Sequence, residues 1–252
     1  MKAPTGYVLY EGPSRIDGSP IVVVATGFGR SSKNPKTGKM VQIWILAADV
    51  DPISAMRTGA DVGICGGCEF RPTSYDGDKY YERRCYVNPL GPLGVYKAYK
   101  AGSYATEWSM ETFRDYIVRL GAYGDPAAAP IDVWAEVTHL AAGWTGYTHQ
   151  ARNPKLRDVL QWCQLSADQL GDAEAARDAG CGSFRVLGAN DEPAPFETMC
   201  PAPIDGTTCA DCQACNGFDG ANIAIRVHGA AGLKYDTPTK RRPIQLPVLN
   251  VR

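Results

Sequence analysis

Four of the chain's nine cysteines fall within sixteen residues, Cys200, Cys209, Cys212 and Cys215 in the run CPAPIDGTTCADCQAC. Thiolates two residues apart converge on one ion or cluster, because a tight turn between them aims both sulfurs the same way. Three in a row at that spacing, C-x2-C-x2-C, is a ligand run for an iron–sulfur cluster rather than for a zinc ribbon, whose ligands come as two separated pairs. Cys200, followed by Pro201, supplies a fourth thiolate. Zinc remains the alternative metal, and a disulfide-stapled loop the alternative to any metal.

Three further cysteines, Cys65, Cys68 and Cys85, stand in GICGGCEF and RRCYVN and make a second C-x2-C with a third thiolate beyond a charged loop. The chain starts MKAPTGYVLYEG, without the apolar run of a secretory signal, so no oxidising compartment is expected. Clustered cysteines in a cytoplasmic chain read as metal ligands before disulfides. Cys163 and Cys181, outside both groups, read as small core hydrophobes. With 252 residues, 44% of them hydrophobic, the chain can bury a full core. Its formal net charge of −1 gives no general pull toward nucleic acid or an anionic membrane. No apolar stretch approaches the length that spans a bilayer, and Lys240-Arg241-Arg242 reads as a solvated tail.

Three segments differ in character: a β-hairpin segment over 1–50, a βα domain carrying both cysteine groups over 51–230, and an extended tail over 231–252. PIVVVATGF and VQIWILAA form the expected hairpin around a polar, Gly- and Pro-containing turn. DPISAMRTGAD and the stretch around Gly94–Lys100 read as short helices. SMETFRDYIVRL reads as a helix capped by Ser109, and LGAYGD as a short strand. Thereafter PIDVWAEVTHLAA, NPKLRDVLQW and GDAEAARDAG read as helices, alternating with TGYTHQ, CQLSAD and GSFRVLG as strands, and NIAIRVHG as a last strand. That alternation predicts parallel βα units in an α/β fold, a TIM-type or partial (βα) barrel. A doubly wound open sheet is the second choice, lowered by the lack of a G-x-G-x-x-G fingerprint after a strand.

In such a fold the chemistry gathers at the C-terminal ends of the strands. His149, Asp125 and Asp168 fall there and are the candidate catalytic residues, with loop-capping roles as the alternative. Tyr147 would share a face of its strand with His149, Thr148 pointing the other way. Tyr147, His228 and Arg185 are candidate substrate contacts. An arginine inside an apolar strand needs an anionic partner, either a ligand or a helix carboxylate. His139 reads as structural.

The ordered series C-x2-C…RCYV, GSY, GAYGDPAA, TGYTHQ, SADQ, GSFRV, CP…C-x2-C-x2-C-x-G and IRVHG resembles a phage and bacterial family of unknown function, the "gene product 88"-like domains, over roughly residues 40–230. The resemblance implies a phage-encoded protein working in the host cytoplasm. The chain is also similar, more weakly, to radical-SAM-like barrels, in which cysteines near the first strand hold a four-iron cluster. Its spacing of C-x2-C-x16-C departs from their C-x3-C-x2-C, so S-adenosylmethionine binding does not carry over. Three thiolates leave one coordination position open, which catalysis at a metal requires, whereas four close the site.

The first expectation is therefore an iron–sulfur enzyme of redox or radical type, with one or two [4Fe–4S] clusters and a small molecule or nucleotide as substrate. The second is a zinc-stabilised nucleic-acid-binding or interaction module, with Tyr75, Tyr80, Tyr81, Tyr86, Arg83 and Arg84 stacking on and contacting single-stranded bases. The third is a metal-dependent hydrolase or nuclease using the carboxylates and His149.

Overall fold

The computed structural model describes residues 4–29, 36–72, 74–76, 79–81, 85, 87–188, 190–217, 220–227 and 244–247. Strand β1 (Gly6–Pro13), β2 (Pro20–Thr26) and β3 (Met40–Ala47) form an antiparallel meander. The expected hairpin is present, with Ile21 opposite Ala47 and Thr26 opposite Gln42. All five residues Ile21–Ala25 are buried. A β-branched run buried on both faces belongs in the interior of a sheet, and β2 is flanked on both sides because β1, which the sequence reading left unassigned, pairs along its other edge.

The middle of the chain is built from short pieces: α1 (Pro52–Thr58), α2 (Val62–Cys65), a small hairpin of β4 (Ser74–Asp76) and β5 (Lys79–Tyr81), and α3 (Leu90–Lys100). Next come β6 (Ile117–Tyr123), α4 (Ile131–His139), β7 (Gly143–Thr148), β8 (Gln164–Ala167), α5 (Leu170–Asp178) and β9 (Ser183–Leu187). The C-terminal part adds β10 (Thr198–Met199), α6 (Cys209–Cys212) and β11 (Asn222–Arg226).

One element departs from expectation. SMETFRDYIVRL is not a helix: Ser109 caps only a single 3-10 turn, Met110–Phe113, through a box with Thr112. Asp115 then takes a left-handed φ of 63° and the chain leaves as β6. The β-branched pair Ile117-Val118 and the alternation Val118, Leu120, Ala122 on the buried side favour a strand there.

Nine strands make one sheet in the order β1-β2-β3-β6-β7-β8-β9-β11-β10, parallel from β3 onward. No pairing joins β1 to β10 among the described residues, so the sheet is open rather than a closed TIM-type barrel. The strand order advances in one direction almost throughout. Right-handed crossovers therefore place the connecting helices on one face. Trp134 and Val137 of α4 pack there with Val118 and Leu120, and Ala176 of α5 with Leu165. The opposite face, bearing Arg119, Gly121 and Tyr123 of β6, Tyr147 of β7 and Phe184 and Val186 of β9, is covered by the two cysteine segments and encloses the cavities described next. Among the described residues no helix is long and apolar enough to cross a membrane.

Candidate metal centre

The first cysteine group is placed by a knot of side-chain anchors. Asp51 caps α1 through Ile53 and Ser54, and α2 then ends on Cys65. The Cys68 amide donates to the Cys65 carbonyl at 3.1 Å, which is the tight turn that C-x2-C requires, and the Cys85 amide donates to the Phe70 carbonyl at 2.9 Å, bringing the third thiol back. Arg71 holds the turn together, donating to Gly66 and Gly59 carbonyls and pairing with Asp61 at 2.7 Å. Gln150 clamps it from the turn that follows β7: its amide nitrogen donates to the Cys65 carbonyl at 2.8 Å and its oxygen accepts from Gly67 at 3.1 Å. Gly66 has φ of 53°, and a Cβ there would stand 2.1 Å from the Gln150 oxygen, so the clamp needs glycine.

Opposite these thiols lie the candidate catalytic residues. His149 Nε2 is 3.9 Å from Cys68 Sγ and 3.2 Å from Asp168 Oδ1, and its ring meets Phe70 edge-on. Burial works against charge on this imidazole, but Cys68 and Asp168 outweigh it and hold the proton well above the ordinary histidine range. Asp125 is different. Its Oδ1 accepts from Ala127 N and Thr148 Oγ1, and its Oδ2 from His149 N and Gln150 Nε2, at 2.8–3.2 Å. A buried carboxylate with four donors ties together the segments that supply them, so Asp125 fixes the end of β6 against the Thr148–Gln150 turn.

The second group rests on neutral anchors. Cys200 follows β10, its amide donating to the Ala224 carbonyl at 2.8 Å. Thr208 caps α6, on which Cys209 and Cys212 sit one turn apart, and the Cys209 amide donates to the Lys36 carbonyl at 2.7 Å. Gln213 turns the chain with a left-handed φ of 51°. The Cys215 carbonyl then accepts from Gly146 of β7 at 3.0 Å, Gln164 donates to Ala214 and Trp144 to Asn216. Burial raises the Cys200, Cys209 and Cys215 thiols, each of which also feels the Cys212 thiol. Cys215 is pushed up to about 12, although the Tyr147 hydroxyl hydrogen-bonds to it.

Two adjoining cavities serve the two groups. One, of about 140 Å³, is bordered by Cys200, Cys209, Cys212 and Cys215; the other, of about 150 Å³, by Cys65, Cys68, Cys85, His149, Asp125 and Asp168. Phe70, Arg119, Tyr147, Phe184 and Val186 line both. The seven clustered thiols thus face a shared space, a proximity that the sequence could not establish. Among the described residues, no three of the His, Cys, Asp and Glu side chains stand in a metal-holding arrangement.

The remaining expectations divide. Tyr147 lines both cavities, with Thr148 on the other side of the strand, as the alternation required. Arg185 lines neither. It shares the buried face of β9 with Ser183 and Leu187 and makes a two-pronged ion pair with Glu197, at 2.8 and 2.5 Å. Its anionic partner here is a carboxylate of the chain, the other of the two partners that an arginine in an apolar strand calls for. His139 is exposed at the end of α4. His228 lies outside the described residues, as do Arg83, Arg84, Tyr86 and the basic Lys240-Arg241-Arg242. Cys163 and Cys181 are buried core residues, burial pushing Cys181 up to about 11. Arg119 was missed because its strand was read as a helix; the period-two pattern of IVRLGAY was the available signal.

Comparison with family models, with curated proteins and with solved structures yields no match to this chain.

Proposed function

We propose that the chain is an iron–sulfur protein of redox or radical type, working on a small molecule held between its two cysteine groups. The observation that carries this reading is the shared space: three thiols and four thiols border adjoining cavities with a common aromatic wall. The donor sets suit soft-metal chemistry, the described lining supplying seven thiols and one imidazole against two carboxylates, both hydrogen-bonded or paired. Binding at either place requires the sulfurs to draw together from the positions they hold here.

A bound cluster would supply one-electron chemistry, and the three-thiol group an open coordination position. The chain's own residues supply the rest. Asp125 and Gln150 hold the Cys65 turn in place. His149, shared between Cys68 and Asp168, can hold or move a proton at Nε2. The four-thiol group, on the side without imidazole or carboxylate lining, fits an auxiliary or electron-transferring role.

The hydrolase reading loses support because Asp125 is fully engaged. The zinc module remains the rival. Anaerobic purification, with iron, zinc and acid-labile sulfide counted per chain, separates the two. A brown protein with iron matched by sulfide, and more than about four irons per chain, supports two clusters. Cys212→Ser should then lose the second cluster alone, and Cys68→Ser the first. A colourless protein holding about one or two zincs would overturn the redox reading.

A further inference from the structure

Arg119 stands on the cavity-facing side of β6, half-buried, in the wall common to both cavities. Among the described residues Arg71 pairs with Asp61, Arg152 with Asp172 and Arg185 with Glu197, and Arg157 is held by the Ala151 and Gln245 carbonyls. Among the described residues no carboxylate pairs with Arg119, and its side chain makes no hydrogen bond there. The carboxylates that border the same space are engaged elsewhere, Asp125 with its four donors and Asp168 with His149.

In the sheet Arg119 stands between Gln42 of β3 and Thr145 of β7, and the wall it shares with both cavities is otherwise aromatic and aliphatic. Tyr147 and Phe184 lie with ring centroids 4.7 Å apart and Val186 beside them. Gly121, the next cavity-facing residue along β6, leaves the floor beside Arg119 without a side chain; its φ of 70° and the Gly124 carbonyl, 2.7 Å from where a Cβ would sit, keep it glycine. Each cavity has about the volume that accommodates one benzene-sized ring. A guanidinium at such a site binds carboxylate or phosphate through two parallel N–H donors.

We propose that Arg119 anchors the substrate, and that this substrate is a small organic anion, a carboxylate or phosphate monoester on a flat ring-sized body. The anionic head sits on Arg119 at the shared wall and the ring lies along Tyr147 and Phe184. This rests on the reading that the shared space is where the two cysteine groups do their work. It adds the substrate's charge and shape. The Cys209 thiol is the competing claim on the Arg119 charge, since the guanidinium favours its ionised form.

The test is a calorimetric titration of the full-length chain with benzoate, phenyl phosphate, inorganic phosphate and benzyl alcohol. Metal content is measured on the same samples. Benzoate or phenyl phosphate should bind, whichever is tighter naming the head group, with inorganic phosphate weaker and benzyl alcohol at least about tenfold weaker. Arg119→Gln should weaken the preferred anion at least about tenfold, and Arg119→Lys should restore part of it. Phe184→Leu should weaken the ring-bearing anions and leave inorganic phosphate unchanged. Benzyl alcohol binding as well as benzoate, or Arg119→Gln binding like the parent, would overturn the proposal. Lost metal with unchanged anion affinity in Arg119→Gln would also overturn it, assigning the guanidinium to the thiolates. The metal count of the parent chain judges the cluster reading separately.

Discussion

The two cysteine groups border the same space but are held by different physics. Around Cys65, Cys68 and Cys85 the anchors are charged or long-reaching side chains: Asp125 from the end of β6, Gln150 from beyond β7, and the Arg71–Asp61 pair. Around Cys200, Cys209, Cys212 and Cys215 they are mostly main-chain hydrogen bonds, a threonine cap and neutral donors from Trp144 and Gln164. The lining differs in the same sense. Imidazole and carboxylate face the first group, whereas the second cavity carries none among its described lining residues. The first surround offers an imidazole and carboxylates, whereas the second cavity's charged lining, Lys36 and Arg119, is cationic. The difference argues for chemistry at the first group and support at the second.

Breaking the comparison begins at the buried Arg185–Glu197 ion pair near the second group. Glu197, three residues before Cys200, has no exposed side-chain surface and accepts from Arg185 and from the Ala194 amide. Glu197→Gln leaves Arg185 buried without its counter-charge and should cost about 3–5 kcal/mol in urea denaturation. It should also loosen metal at the second group while the first keeps its own. Loss at the first group instead would end the division drawn here. Asp125→Asn comes next. The amide presents a donor where His149 or Thr148 also donates, so stability should fall by about 2–3 kcal/mol. Metal retention should now fail at the first group, read by iron or zinc counts against the Cys68→Ser variant. The smallest effect is Thr208→Ala, which removes the cap of the four-residue α6. About 0.5–1 kcal/mol is expected, confined to the second loop and visible as faster amide exchange at Asp211 with an unchanged global denaturation midpoint.

How far the sequence could be read follows the same divide between local and distant causes. The cysteine groups were legible because C-x2-C is a local geometry, and the Cys65–Cys68 turn has it. The β2–β3 hairpin was legible because Ile21–Ala25 can only be an interior strand. β6 was not, because Met110, Phe113, Tyr116, Ile117 and Leu120 satisfy a helical period until Asp115 takes its left-handed turn. That one misreading hid Arg119. Arg185 was seen as an arginine in need of an anion, but strand parity does not say which face the helices will take. Only the packed sheet shows Phe184 and Val186 on the cavity side and Arg185 against Glu197. Asp125 looked like a turn residue or a catalyst. Three of its four donors, Thr148 Oγ1, His149 N and Gln150 Nε2, come from more than twenty residues away, beyond any local pattern.

The order of strands also bears on how the molecule is made. Apart from β10, each strand of the large sheet docks on a neighbour synthesised before it. The meander β1–β3 needs only short connections and can pair as it leaves the ribosome, after which β6, β7, β8 and β9 add one at a time to a growing edge. β10 waits for β11, and the loop carrying Cys200, Cys209, Cys212 and Cys215 lies between them. Its thiols are thus gathered after the first group, so a nascent chain that has not yet added β11 can hold the first cysteine group but cannot yet close the second.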